Sequence, residues 1–267
     1  MKEITIFNGY KLYVDETDMG ISRDLAIHGI RESTATKYFQ SILKPGMVVY
    51  DIGSNIGYYV LVAHEKIESE GFIYSFEPLQ SNVELLKMNT AANGITNIEI
   101  YPIALGDMHT QEILSISKLS NLNAIVKEED ISELGLKWFD KHIIGKTEVE
   151  QWDLDGFIEY NKLPIPDVLR MDVEGYEIRV LKGADTTLEK MATGSILFIE
   201  FHGDLIRDKK QVITKLHSEL IEKDFFVTWG QGINPNGKET FLNNYLFDSF
   251  INFAINNNFV HIFYIKH

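Results

Sequence analysis

The sequence predicts an α/β fold: a mainly parallel sheet covered by helices on both faces. Three observations lead there. Short apolar runs rich in β-branched residues recur along the 267-residue chain. Segments with the apolar period of an amphipathic helix stand between them. Four of the runs end in an acid, Asp51, Glu77, Asp172 and Glu200, where the carboxyl ends of parallel strands gather around a ligand.

Residues 3–14 alternate apolar and polar side chains around Asn8–Gly9, a pair that tolerates positive φ, and predict a hairpin. Ser33 opens a helical run through Thr36, Tyr38, Phe39, Ile42 and Leu43 that stops at Pro45–Gly46. Residues 1–44 therefore read as an appendage to a domain spanning 45–267. Met47–Tyr50 predicts the first strand of that domain, and Tyr58–Lys66 the helix after it. Phe72–Phe76 predicts the next strand, followed by a helix over Asn82–Asn93 with Val83, Leu85, Leu86 and Met88 on its apolar face. Asn93–Gly94 stops that helix. Ile98–Tyr101, Val168–Met171, Ile196–Ile199, Phe225–Trp229 and Asn258–Lys266 complete the strands, with a helix over Lys209–Lys223. Gln111–Ile116 and Val149–Trp152 predict two extra strands. The polar stretch 117–147, with its acidic cluster Glu128–Asp130, reads as a long loop, and such a loop in a compact domain predicts a mobile lid.

A hydrophobic fraction of 45% and a charged fraction of 24% exclude a wholly disordered or fibrous chain. With 25 basic and 39 acidic residues the net charge is −14, which weighs against a nucleic-acid partner and a polybasic membrane anchor. Cysteine is absent, so disulfides, thiolate metal sites and cysteine nucleophiles are excluded. That composition fits a reducing, cytoplasmic setting. The first residues hold no signal-peptide core. No run reaches the about 18 apolar residues of a membrane helix; the aromatic tail from Phe241 is broken by Asn243, Asn244, Asp248 and Asn252.

The strongest motif is residues 48–57, in which a strand ends at Asp51 and turns over Gly53 and Gly57 into a helix. Glycines permit the tight turn and let a ligand approach the backbone. Glu77 lies twenty residues after Gly57, where a carboxylate receives the ribose hydroxyls of a nucleoside ligand. A dinucleotide site wants G-x-G-x-x-G and no acid beside its pyrophosphate. D-x-G-x-x-x-G instead suits a cationic ligand with an ammonium and a sulfonium group, namely S-adenosylmethionine. A second motif is Asp172-Val-Glu174-Gly175-Tyr-Glu177, whose carboxylates can take a proton or hold a hydroxyl; Glu177 also reads as a helix N-terminal acid. A third is Glu200-Phe-His202-Gly203, where His202 either takes a proton near neutral pH or caps the next helix. His28, His64, His109, His142, His217, His261 and His267 read as surface or incidental core residues, and Asp153 as either a turn acid or a site acid. No metal-ligand set is read from the spacing.

These motifs resemble the FkbM-type S-adenosylmethionine-dependent methyltransferases. The resemblance rests on Pro45-Gly46, Asp51 to Tyr59, Phe76-Glu77-Pro78, Asn89 with Asn93-Gly94, and the run Arg170 to Gly183 around Asp172-Val-Glu-Gly175-Tyr-Glu177. Arg170 replaces the family's usual lysine, Ser54 its alanine and Trp152 its leucine, while Glu32 matches a common glutamate. The resemblance covers roughly residues 30–203. It implies a Rossmann-like class I methyltransferase fold, with a seven-stranded sheet whose last strand is antiparallel. It also implies methyl transfer to an oxygen of a sugar, glycan or natural-product hydroxyl. In that setting Gly53, Asn55 and Gly57 shape the loop beside the methionine part, Asp51 answers its ammonium group directly or through water, and Ser54, Tyr58, Pro78 and Asn82 also bind the cofactor. Glu77 holds the ribose. Ala104, Leu105 and Asp107 border the adenine. Asp172, Glu174 and His202 face the acceptor and include the base; Asp172 also lies near the methionine end. The rival readings are nucleic-acid methylation, a catalytically silent cofactor-binding module, and an NAD-dependent dehydrogenase, the last disfavoured by the glycine spacing.

Overall fold

Alternation of apolar side chains along each strand gives the central sheet two greasy faces, and both are covered in the computed structural model, which describes residues 1–242 and 245–267. Asn243 and Asn244, two of the breaks in the aromatic tail, lie outside the described residues. The chain opens with the expected hairpin, β1 (Lys2–Thr5) and β2 (Lys11–Val14), with Asn8 and Gly9 both at positive φ. Two helices follow, α1 (Ile21–His28) and α2 (Ser33–Ile42). Then come β3 (Val48–Ile52), α3 (Tyr58–Ile67), β4 (Phe72–Phe76), α4 (Gln80–Ala92) and β5 (Ile98–Tyr101). An inserted sheet is built from β6 (Ala104–Gly106), β7 (Thr110–Ser117), β8 (Ala124–Ile125) and, beyond α5 (Glu133–His142), β9 (Ile143–Asp153). The chain returns through α6 (Leu154–Asn161), β10 (Val168–Met171), α7 (Glu177–Lys182), α8 (Asp185–Lys190), β11 (Ile196–Phe201) and α9 (Lys209–Glu222). It ends with β12 (Phe225–Ile233), β13 (Glu239–Phe241), α10 (Phe247–Ile255) and β14 (Phe259–Lys266).

The main sheet has the order β13-β12-β14-β11-β10-β3-β4-β5. β5, β4, β3, β10 and β11 run parallel, and β14 lies antiparallel between β11 and β12. Seven strands thus follow the expected plan, and the three-residue β13 adds an eighth at the edge. Strand order reverses between β3 and β10, which opens a crevice at their carboxyl ends.

In β11, Ile196 and Phe198 pack on α2 and α3, while Leu197, Ile199 and Phe201 pack on the other face with α7, α9 and α10. The same alternation sends Asp51, Arg170, Glu200 and His261 to the α2–α3 face. Four polar side chains on four neighbouring strands therefore meet under the N-terminal helices.

Two features differ from the sequence reading. The stretch 117–147 is folded rather than structureless: it holds β8, α5 and the start of β9. Its polar composition hid a small core in which Phe139 packs with Ala124 and Ile131. Ser132 caps α5 by accepting from Gly135 N. Residues 1–44 are also tied to the domain by polar contacts that the sequence does not show. Tyr13 N donates to Asn89 Oδ1 at 2.5 Å, and Lys11 and Asn93 exchange two bonds of 2.8 and 2.7 Å, so the asparagines of α4 staple the hairpin to the domain.

Candidate functional site

A cavity opens at the crevice. Its wall takes Gly53, Ser54 and Asn55 from the loop after β3, Glu77 and Pro78 from the end of β4, and Tyr58 and Asn82 from the adjoining helices. Ala104 and Leu105 of β6 form another side, and Asp172 and Glu174 the floor beyond β10. Most of the residues singled out from the sequence thus come together.

Local geometry explains the loop. Gly53 has φ +76°, and a Cβ there would lie 2.0 Å from the carbonyl oxygen of Asp172. Only glycine lets the two strand ends approach so closely. Ser54 Oγ donates to the Asp51 carbonyl and accepts from Ser75 Oγ, at 2.8 and 2.6 Å. Asn55 N donates to Glu77 Oε2 at 2.9 Å, and Leu79 N donates to Glu77 Oε1 at 2.9 Å. Burial outweighs these bonds and raises Glu77 to about 7. Gly57 serves packing instead: it does not line the cavity, and a Cβ there would strike Leu86 of α4 at 2.4 Å.

Asp51 sits behind the wall, not on it. Its Oδ1 accepts from Arg170 Nη1 at 3.0 Å, and Arg170 Nη2 donates to Asp172 Oδ2 at 2.8 Å. The arginine that stands where a lysine is usual bridges the acids of two paired strands and lies 4.2 Å over the Tyr59 ring. Asp51 thus gives an oxygen to Arg170, which faces the cavity in its place. Asp107 also turns elsewhere: it pairs with Arg179 at 3.1 Å, alongside Glu129 and Asp130, and is not among the lining residues. Asp153 caps α6 by accepting from Gly156 N at 2.7 Å, the turn-acid alternative.

His202 does not reach the cavity wall either. Its Nε2 lies 3.2 Å from Glu174 Oε2 and 3.5 Å from Glu200 Oε1, and its Nδ1 lies 3.1 Å from Glu177 Oε1. Burial alone would lower its pKa, yet the surrounding acids hold it well above the usual imidazole value. His202 is thus enclosed by three acids and lies off the cavity wall, where the expectation had it facing the acceptor. Burial pushes Glu174 well up, against the pull of His202. Asp172 is raised to about 7, first by burial and then by Glu200.

Sequence reasoning missed His261. It is paired with Glu200 across β11 and β14, with Nε2 3.1 Å from Glu200 Oε2 and 3.2 Å from Glu32 Oε2. Tyr59 OH donates to Glu32 at 2.7 Å, and Arg31 Nε meets its other oxygen at 2.6 Å. Those cations hold Glu32 well below the carboxylate range despite burial. The groups Glu32–Glu200–His261 and Asp172–Glu200–His202 are tight enough to hold a cation. Each already has protein cations, Arg31 with His261 and Arg170 with His202.

The remaining wall comes from the inserted sheet and the N-terminal arm. Ser120, Asn123, Ala124 and Ile125 close one side, with Ile21 and Arg31 beside them. Asp18 joins the two: Ser120 N and Oγ donate to its carboxylate at 3.0 and 2.6 Å, and Gly20 N and Ser22 N donate to it as well. Asn55 Nδ2 reaches the Ser120 carbonyl at 3.1 Å.

Residues 51–226, well over half of the chain, match the sequence model of the methyltransferase FkbM domain. The hexuronic acid methyltransferase AglP of Haloferax volcanii is 26% identical over 172 residues, which cover 64% of this chain and 62% of that protein. The chain therefore spans less than two thirds of that relative's length. A methyltransferase FkbM from Methylobacillus flagellatus is a structural match at TM-score 0.49 and 14% identity, over 86% of this chain and 50% of that one. A precorrin-6y C5,15-methyltransferase from Geobacter metallireducens matches at TM-score 0.48 and 11% identity, over 89% and 90%. Among the described residues no helix is long and apolar enough to cross a membrane.

Proposed function

Because the chain belongs to the methyltransferase FkbM domain family, we propose that it moves a methyl group from S-adenosylmethionine to an oxygen of a sugar or other small hydroxyl compound. The observation that carries this reading is one cavity at the switch point of the sheet, walled by the Gly53 loop, Glu77 and the acids Asp172 and Glu174. When bound, S-adenosylmethionine supplies an electrophilic methyl on a cationic sulfur. Glu77 holds the ribose hydroxyls, Ala104 and Leu105 border the adenine, and the loop Gly53–Asn55 cradles the methionine part. Asp172, with Glu174 beside it, takes the proton of the acceptor hydroxyl as the oxygen attacks. The hexuronic acid named for the Haloferax relative supports a sugar acceptor, and the net charge of −14 disfavours nucleic acid. Incubation with labelled S-adenosylmethionine and a panel of glycosides, small alcohols and RNA tests the proposal. Transfer to a glycoside or alcohol is expected. Cofactor binding without transfer to any of them would instead favour a silent module.

Replacing Glu77 by Ala is expected to weaken cofactor binding by about 1.5–3 kcal/mol, the scale of hydrogen bonds to a charged group. Hydroxyls donate to the ionised carboxylate, and Glu77 is raised to about 7. Wild-type affinity should accordingly rise as pH climbs through 7. Calorimetry at pH 6 and 8 reads both effects, and equal affinity of a folded E77A would remove the ribose role.

The segment 117–147 is proposed to act as a lid, with Asp18 as its latch. Asp18→Ala takes both acceptors from Ser120. Limited proteolysis should then cut this segment sooner than in wild type, and bound cofactor should slow the cut. A first cut elsewhere in both proteins would count against a latch.

A further inference from the structure

Arg31 stands apart from the other cations of the site. Arg170, His202 and His261 each meet two or three carboxylates. Arg31 meets one, through Nε, at 2.6 Å from Glu32 Oε1. Its two terminal nitrogens have no hydrogen-bond or ion-pair partner among the described residues, although the side chain is only 17% exposed and forms part of the cavity wall. Neither nitrogen is among the fully buried unpaired atoms, so this edge is open to a ligand acceptor in place of water.

That edge is held in place from behind. Glu32 is fixed by Tyr59 and His261 at 2.7 and 3.2 Å. Arg31 N donates to Tyr58 OH at 3.2 Å, and the Arg31 carbonyl accepts from Thr36 Oγ1 at 2.8 Å. The Nε side of the fork is thus spent on Glu32, and the Nη1–Nη2 side is left as two parallel N–H donors. This is the edge that takes a carboxylate bidentately. Elsewhere the wall carries the carboxyl groups of Glu77, Asp172 and Glu174 and one further guanidinium, Arg170, which is already paired with Asp51 and Asp172.

We propose that Arg31 is the receptor for a ligand carboxylate in this cavity. The inference rests on the reading that cofactor and acceptor share the cavity. The carboxylate has two sources: a uronic acid acceptor, or the methionine end of the cofactor. In either case Arg31 sets the direction in which that ligand lies.

Binding to wild type, Arg31→Gln and Arg31→Lys tests this without turnover. S-adenosylhomocysteine is titrated first, then glucuronate and glucose on the loaded protein, with melting temperature as the check on folding. One carboxylate ligand is expected to lose about 10- to 100-fold in affinity in R31Q, with partial retention in R31K, which keeps the charge but not the fork. Loss of glucuronate alone, with glucose unchanged, identifies the acceptor. Loss of S-adenosylhomocysteine identifies the cofactor. If R31Q does not fold, R31K decides by the same comparison. Unchanged affinity for both ligands in the folded variants would overturn the proposal. Failure of wild type to bind S-adenosylhomocysteine at all would instead refute the methyltransferase reading beneath it.

Discussion

Replacing Asp172 by Asn is expected to lower turnover by about 10²–10⁴-fold, the usual cost of losing a general base. Asp172 faces the cavity from the end of β10, beside the loop whose Gly53 touches its backbone. Burial, then Glu200, raises it to about 7, against the pull of Arg170 and His202. A carboxylate poised there holds a useful share of the ionised form at neutral pH and has enough basicity to accept a proton. The sign follows: the base works when ionised, so the wild-type rate should climb with pH around 7 and level above it. Asparagine keeps an oxygen for Arg170 and removes the proton acceptor. Single-turnover rates over pH 6–9, with cofactor affinity measured alongside, read the effect. Wild-type rates in a folded D172N would sink the assignment and pass it to Glu174. His202→Gln, by contrast, should cost stability more than chemistry, because it strips a cation from three acids.

Replacing His261 by Gln is expected to cost about 3–5 kcal/mol of stability, the scale for breaking one side of a buried ion pair. Glu32 and Glu200 would be left facing each other without the imidazolium 3.1–3.2 Å from both. Burial alone would lower the His261 pKa, but Glu200 and then Glu32 raise it from 6.5 to about 10. A raised histidine stabilises fully below its unfolded pKa and loses that contribution as pH rises through the folded one. The gap between wild type and H261Q should therefore be widest near pH 6 and narrow between about 6.5 and 10. The acids behave oppositely. Glu32 and Glu200 are held down by their cations, so their contribution fades as pH falls through those lowered values. Urea unfolding of both proteins at pH 6.5 and 9.5 measures the gap, and an equal gap at both would contradict the ion-pair account.

Local signals carried the parts of this molecule that could be read in advance. The Asp51–Gly57 turn, the acid after β4, and the strands read at Val168–Met171 and Ile196–Ile199 have short-range patterns, and each falls where its pattern puts it, the second running on to Phe201. What escaped was set by pairing across distance. Nothing near His261 in sequence shows that β14 slides between β11 and β12 and lays it against Glu200. Nothing near Arg170 shows that parallel pairing with β3 spends Asp51 on it. Asp107 reads as a site acid until Arg179, on α7, takes it. The helix α5 escaped for a different reason. Its buried face is narrow, with Gly135 and Phe139 as its buried residues, so its composition looks like a loop.

The place of β14 carries a consequence for how the protein comes into being. It is the latest strand in the chain, yet it inserts between two that precede it. Until it does, β11 and β12 each present an open edge, and Glu200 has only His202 of its two histidine partners. Closing so distant a contact is slow relative to the local βα units before it. A nascent chain can therefore shape the glycine turn and the helices around it while the polar row at the strand ends is still unbalanced. The strand that completes the sheet thus also brings the imidazole shared by Glu32 and Glu200.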